Sequence, residues 1–147
     1  MKLKITGLQR FSTNDGPGIR TLVYFAGCGM RCQWCHNPET QHLSNRLMVD
    51  PSRCIGCGAC VKVCGQNACY INADGKFVTD WNKCIGCMEC ARVCYTEARK
   101  STIQEISMEE LMRELKKDEV FFRTSGGGVT LSGGEAVLQT EGCMELL

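Results

Sequence analysis

The chain has 147 residues, which is enough for one or two small domains. Its 17 basic and 16 acidic residues give a net charge of +1 without any run of like charge, which argues against nucleic acid or an anionic membrane as the main partner. No stretch approaches the roughly 18 consecutive apolar residues that a membrane-spanning helix requires.

The N-terminal segment, which we place at residues 1–49, begins with two predicted strands. Apolar runs around 3–11 and 19–26 have β-type composition. The sequence NDGPG at 14–18 separates them and predicts a turn.

A loop with three cysteines follows the second strand, in the spacing Cys28-x3-Cys32-x2-Cys35. Three thiolates on a four-iron cube leave one iron open to an external ligand, just as catalytic zinc sites keep one position open. A zinc ion is the alternative, and its nearest fourth ligand is His36. Because His36 directly follows Cys35, it is poorly placed to complete a tetrahedron around one ion.

Residues 50–100 form a predicted insert that contains an internal repeat with a period of 30 residues. Each half has the cysteine spacing of bacterial ferredoxins, which bind 4Fe–4S clusters. The predicted ligands are Cys54, Cys57, Cys60 and Cys64 in the first half, and Cys84, Cys87, Cys90 and Cys94 in the second. Between the halves, 70–71 and 76–78 flank the turn sequence NADG and predict a hairpin.

The last segment, residues 101–147, has the pattern of a mixed α/β fold. Ser107 and Glu110 form a capping-box pattern at the start of a helix whose apolar residues are Met108, Leu111, Met112 and Leu115. A short buried strand is predicted at Val129–Ser132, and a helix at Ala136–Leu147 with Ala136, Val137, Met144 and Leu147 as its apolar positions. This order of elements predicts the beginning of a parallel α/β sheet.

A disulfide scaffold is the alternative interpretation of thirteen cysteines. Three observations argue against it: the start MKLKITGLQRF lacks the apolar region of a secretory signal, the cysteine total is odd, and the spacing is that of metal ligands. We therefore expect reduced thiols in a cytoplasmic protein of an anaerobic cell.

The three-cysteine loop, with Trp34 as the aromatic residue before its last cysteine, resembles the signature of radical S-adenosylmethionine (SAM) enzymes. Four further blocks resemble the glycyl radical enzyme activating enzymes within that superfamily: Asp15–Arg20, His36–Glu39, the double ferredoxin-type insert, and Ser125–Glu135. On its own, a Gly-Gly-Glu sequence is more often a turn, and its weight comes from accompanying the cysteine loop.

The resemblance implies the beginning of a partial (β/α)6 barrel, about two of its six units, with an inserted α+β two-cluster domain. We therefore expect an N-terminal portion of an activating enzyme. Cys28, Cys32 and Cys35 would bind the catalytic cluster, and SAM would chelate its open iron. Trp34 would lie near the adenine, while Gly133, Gly134 and Glu135 would meet the SAM amino group.

Three 4Fe–4S clusters are implied in total. By analogy with two-cluster ferredoxins, one auxiliary cluster would take Cys54, Cys57, Cys60 and Cys94, and the other would take Cys84, Cys87, Cys90 and Cys64. Gly65 and Tyr95 replace the proline that usually ends a ferredoxin run, and Ala136 replaces the proline that family members commonly have after Gly-Gly-Glu. Cys69 is expected to be a buried spare thiol, with a substitute ligand for Cys64 as the alternative, and Cys143 is expected to be structural.

The implied reaction is one-electron cleavage of SAM to methionine and a 5′-deoxyadenosyl radical, which takes a hydrogen atom from a glycine of a glycyl radical enzyme. A flavodoxin- or ferredoxin-type protein would donate the electron. The alternative function is a ferredoxin-like electron-transfer protein with a vestigial third site. The two differ in whether the protein binds and cleaves SAM.

Overall fold

The computed structural model describes all 147 residues and divides into two compact units. The first combines Met1–Ser44 with Ile103–Leu147, and the second is the intervening segment Asn45–Thr102. The predicted insert, 50–100, lies within this second unit. None of the helices is long and apolar enough to cross a membrane.

Eight strands and five α-helices form the two units. The strands are β1 Lys2–Ser12, β2 Arg20–Phe25, β3 Leu47–Val49, β4 Cys69–Ile71, β5 Phe77–Thr79, β6 Arg99–Ser101, β7 Gln104–Ser107 and β8 Gly128–Gly133. The helices are α1 Ala59–Lys62, α2 Glu89–Arg92, α3 Met108–Lys116, α4 Glu119–Ser125 and α5 Thr140–Leu146. This mixture confirms the predicted α/β class.

The first unit is built on a four-stranded sheet in the order β7-β1-β2-β8. β1 is antiparallel to both of its neighbours, and only β2 and β8 run parallel, with Phe25 opposite Gly133. The predicted parallel sheet is therefore limited to this pair. Its consequence is that the segments following β2 and β8 leave the sheet at the same edge.

Helix α3 forms one side of the core of the first unit. Ser107 and Glu110 make the predicted capping box, in which each side chain bonds the other residue's backbone N–H. The side chains that form the core are Leu3, Ile5, Val23, Phe25, Met108, Leu111, Leu115 and Cys143. The predicted packing role of the helix methionines is thus confirmed for Met108, and Met112 packs against the same core.

The prediction of a single helix at Ala136–Leu147 was wrong. A 3-10 turn covers Ala136–Gln139 and only then does α5 begin. The Gln139 side chain accepts a bond from the Lys4 N–H at 2.9 Å and donates to the Lys4 carbonyl at 2.8 Å. These two bonds fix Gln139, the last residue of the 3-10 turn, to β1. Consequently Gly142 and Cys143 face the core, whereas the expected apolar positions Val137, Met144 and Leu147 are exposed.

The second unit repeats one arrangement twice. β4 pairs with β5 in the predicted hairpin, and β6 pairs with β3 in the same antiparallel manner. Asp50 donates its N–H to Ala98 at 2.7 Å, and Asp80 donates to Ala68 at the same distance. The two aspartates are 30 residues apart in sequence, and so are the two alanines. The internal repeat therefore corresponds to an internal pseudo-symmetry of the structure.

Candidate metal and cofactor site

The three-cysteine loop leaves the sheet at the end of β2. Cys28, Cys32 and Cys35 are all partly exposed, and none is in a disulfide. The loop is closed at its base, where the Gly27 N–H donates to the carbonyl of Thr40 at 2.7 Å. This bond turns the segment between them into a compact projection that carries all three thiols.

The Gly-Gly-Glu segment follows β8 and lies at the base of the same loop. Gly134 donates its N–H to the Phe25 carbonyl at 2.9 Å, and Glu135 donates to the Gly27 carbonyl at 2.7 Å. The parallel pairing of β2 with β8 produces this meeting, since both segments emerge from the same edge. The structure therefore brings together two predicted parts of one site.

The two glycines are required by close approach of the backbone to itself. Gly133 has φ +97°, and a Cβ there would lie 2.5 Å from the Phe25 nitrogen. A Cβ on Gly134 would lie 2.2 Å from the Gly27 oxygen. Glu135 beside them is half-buried, and its carboxylate forms no hydrogen bond or ion pair with the protein. That carboxylate is available to a cationic ligand.

Trp34 and His36, also in the loop, are in a different situation. The Trp34 ring is 84% exposed. His36 is exposed as well, and its Nδ1 lies 3.2 Å from the Asn37 Oδ1. The structure thus exposes both side chains to solvent.

The upstream block at 15–20 is joined to β8 by polar contacts. Arg20 donates to the Thr130 hydroxyl and to the Val129 carbonyl, each at 2.6 Å, and the Thr130 hydroxyl donates to the Asp15 carbonyl at 3.1 Å. In this structure Arg20 therefore fixes the turn between β1 and β2 against β8.

The second unit contains two cavities, each lined by four of the predicted ligands. The cysteines of the first cavity are Cys54, Cys57, Cys60 and Cys94. Those of the second are Cys64, Cys84, Cys87 and Cys90, with the spare Cys69 also in its wall. Each half of the repeat thus contributes three cysteines to one cavity and one cysteine to the other.

Cys64 and Cys94 each line the cavity of the other half of the repeat, and backbone N–H donors favour the thiolate form of both. Burial alone would raise the pKa of the Cys64 thiol, but the N–H groups of Cys69, Ala68 and Gln66 hold this pKa below its ordinary value. The pKa of Cys94 is likewise lowered against burial, by its bonds with Arg99 and neighbouring groups. Thiolates are the form that binds metal. The spare Cys69 differs, since burial raises its pKa to about 12.

The donor set of the two cavities fits iron–sulfur clusters. All thirteen cysteines are free thiols, which is inconsistent with the disulfide alternative in this structure. No three His, Cys, Asp or Glu side chains are arranged to hold a single metal ion, whereas four cysteines surround each cavity. Four cysteines are the usual ligands of a 4Fe–4S cluster.

Two residues of the site were not predicted. Thr40 is 1% exposed and closes the cysteine loop, while Gln139 also donates to the Ala26 carbonyl at 3.1 Å, just before the loop. Neither residue has a sequence signal, because each acts through a backbone contact that only the folded chain creates.

Together, the fold and the cysteine cavities define an iron–sulfur protein. A family model described as a 4Fe-4S single cluster domain matches residues 14–147. The benzylsuccinate synthase activating enzyme of Thauera aromatica is 50% identical over 135 residues, covering 89% of this chain and 41% of that protein. The trans-4-hydroxy-L-proline dehydratase activating enzyme of Clostridioides difficile is 49% identical over 135 residues, covering 92% of this chain and 44% of that protein.

A third relative is the pyruvate formate-lyase 2-activating enzyme of Escherichia coli strain K12. It is 38% identical over 138 residues, which cover 94% of this chain and 38% of that protein. The chain belongs to the family of that 4Fe-4S single cluster domain. Its relatives are activating enzymes of glycyl radical enzymes, in agreement with the resemblance that the cysteine and glycine motifs predicted. It spans less than half the length of these relatives.

Proposed function

We propose that this chain carries the cluster-binding and initial SAM-binding parts of a radical SAM activase that generates a glycyl radical on a partner enzyme. The observation that carries the proposal is the bond between Glu135 and Gly27, which fixes the Gly-Gly-Glu segment at the base of the three-cysteine loop. The similarity of the chain to activating enzymes supports this function over that of a simple ferredoxin.

In this proposal the first unit holds the reactive centre. Cys28, Cys32 and Cys35 would hold a 4Fe–4S cluster and leave one iron for SAM. The carboxylate of Glu135 would accept a charge-assisted hydrogen bond from the SAM amino group. Trp34 contributes its ring to the adenine side. When bound, the cluster and SAM supply a radical that takes a hydrogen atom from a glycine of the partner.

The second unit would hold two auxiliary 4Fe–4S clusters, one in each four-cysteine cavity. Three clusters in all follow from the three cysteine runs. A flavodoxin- or ferredoxin-type protein would donate electrons to the clusters. We further propose that the parallel pair β2 and β8 belongs to a partial (β/α)6 barrel, and that the protein works in the cytoplasm of an anaerobic cell.

The test is anaerobic reconstitution with iron and sulfide, followed by addition of SAM and a strong reductant. We expect SAM to change the electron paramagnetic resonance (EPR) spectrum of the reduced protein and 5′-deoxyadenosine to form. Glu135→Gln should weaken both effects, whereas the matched control Glu141→Gln, an exposed residue of α5, should leave them intact. A full set of clusters whose EPR spectrum does not change with SAM, without formation of 5′-deoxyadenosine, would instead identify a ferredoxin-like protein.

A further inference from the structure

Arg99 is a buried cation in the second unit, where it begins β6. Its residue is only 3% exposed and lines the cavity that contains Cys54, Cys57, Cys60 and Cys94. The guanidinium donates to the Thr79 hydroxyl at 2.6 Å and to the Val78 carbonyl at 3.1 Å. These bonds to β5 fix the position of the charge.

No carboxylate balances this charge. The six ion pairs of the chain all involve other residues, and both partners of the guanidinium on β5 are neutral. A buried cation without an anion is costly, so buried charges are normally paired. Arg99 therefore lacks the anionic partner that its burial calls for.

The groups that can supply this negative charge are cysteine thiolates from both cavities. Burial alone would lower the pKa of Arg99, yet the neighbouring Cys69, Cys60 and Cys90 raise it above its ordinary value. Cys69 is itself a neutral thiol, because burial raises its pKa to about 12, so the negative charge comes from the predicted ligands Cys60 and Cys90. Cys60 lines one cavity and Cys90 lines the other. The backbone N–H of Arg99 also donates to the Cys94 sulfur at 3.4 Å. The guanidinium also donates to Thr79, whose strand partner Cys69 lies in the wall of the second cavity. Arg99 thus lies in the wall of one cavity and contacts the strand pair that borders the other.

The internal repeat indicates that the fold does not require an arginine here. The position 30 residues earlier is Cys69, which begins β4 as Arg99 begins β6. Both follow a buried alanine, Ala68 or Ala98, and Cys69 is 4% exposed. The first half therefore builds the same strand with a small neutral side chain, and the positive charge is a separate feature of the second half.

We propose that Arg99 is a counter-cation shared by the two auxiliary clusters, which holds their reduction potentials above the values that a neutral residue would allow. The inference rests on the proposed function, because it requires that both cavities hold clusters. Each one-electron reduction adds a negative charge to a cluster, and a fixed buried cation stabilises the reduced state more than the oxidised one.

The test is an anaerobic redox titration of the reconstituted full chain, followed by EPR and visible absorbance. Cys28, Cys32 and Cys35 are first replaced by alanine, so that only the two cavities of the second unit contribute. Arg99→Gln removes the charge and Arg99→Lys retains it. The matched control is Arg92→Gln, because the Arg92 side chain is 69% exposed and its ion pair with Glu89 is screened by solvent.

We expect Arg99→Gln to lower the ratio of reduced to oxidised cluster about tenfold at a fixed solution potential, which is about 59 mV for a one-electron couple. Arg99→Lys and Arg92→Gln should stay within about threefold of the parent. An Arg99→Gln protein with its full iron content and an unchanged titration would overturn the proposal.

If Arg99→Gln fails to retain iron, the Arg99→Lys variant tests whether the positive charge controls the reduction potentials. Full iron with parent-like potentials supports the charge as the cause, whereas full iron with a tenfold lower reduced fraction excludes it. Loss of iron from both variants would assign Arg99 to assembly of the unit and also overturn the proposal. The inference rests only on the two auxiliary clusters, and if these are not formed the parent itself lacks their iron. A parent with all its clusters but no response to SAM contradicts the proposed activase function and leaves the role of Arg99 testable in the same titration.

Discussion

Glu135 and Gly27 are joined by a backbone hydrogen bond of 2.7 Å, although the whole second unit lies between them in sequence. Gly27 immediately precedes Cys28, so the bond holds the backbone of Glu135, whose carboxylate has no partner in the protein, beside the backbone of the first predicted cluster ligand. A ligand that bridges these two groups would meet a preformed spacing, which reduces the ordering cost of binding.

The first prediction concerns the iron content. The reconstituted parent should hold about twelve irons, because the three cysteine runs together supply ligands for three four-iron clusters. Replacing Cys28, Cys32 and Cys35 together by alanine should leave about eight. Iron and sulfide analysis measures both values, and a parent with about four irons would contradict the assignment of the second unit.

The second prediction concerns Gly134. Gly134→Ala places a Cβ against the Gly27 carbonyl, so the loop base must move, at a cost of about 1–3 kcal/mol. We expect a lower unfolding midpoint and a weaker effect of SAM on the EPR spectrum. Gly7→Ala is the control, because nothing lies within 4 Å of its added Cβ. Equal behaviour of the two variants would show that the loop base tolerates displacement.

The third prediction concerns the spare thiol. Cys69 lines the same cavity as Cys64, but burial raises its pKa to about 12, so it is the poorer metal ligand. Cys69→Ala should therefore keep the parent's iron content, whereas Cys64→Ala should lose iron from that cavity. The reverse order in iron analysis would make Cys69 the ligand in place of Cys64.

The fourth prediction concerns the stability of the first unit. Asp118 is 5% exposed and accepts hydrogen bonds from Arg10 at 2.6 Å and from the Thr21 hydroxyl at 2.8 Å. Asp118→Ala leaves the Thr21 hydroxyl without its partner and should cost about 2–3 kcal/mol of unfolding free energy. The measurement is the shift of the urea midpoint at constant slope.

Glu119→Ala is the control for this substitution. Glu119 is the exposed neighbour of Asp118 at the start of α4, and its removal should change the unfolding free energy by no more than about 0.5 kcal/mol. A similar loss from both variants would mean that helix α4, rather than the buried polar contacts, accounts for the effect.

Sequence patterns predicted those elements whose signal is local. The capping box of Ser107 and Glu110, the hairpin around 72–75 and the strand at 129–132 all follow from nearby residues, and the structure contains them. The cysteine spacing on one loop indicated the radical SAM superfamily, because thiolates that meet on one cluster must be close in sequence. The resemblance to the activating enzymes also needed the blocks at 15–20, 36–39 and 125–135 and the ferredoxin-type insert.

Long-range contacts account for what the sequence did not predict. Gln139 interrupts the last helix because its amide bonds β1 and the end of β2, and no periodic pattern encodes such a partner. Arg99 carries no signal in the sequence, and only the folded chain shows that its side chain is buried. In both cases the decisive group belongs to a distant segment, which local propensity cannot identify.

The crossing of Cys64 and Cys94 between the two cavities has a consequence for the origin of the second unit. A half-repeat alone would offer three cysteines to its own cavity and direct its fourth elsewhere. Such a half could complete its ligand set only by pairing with a second copy of itself, which would return the missing thiol. The unit therefore has the internal pseudo-symmetry of a dimer joined into one chain, and loss of either half would remove cysteines from both cavities.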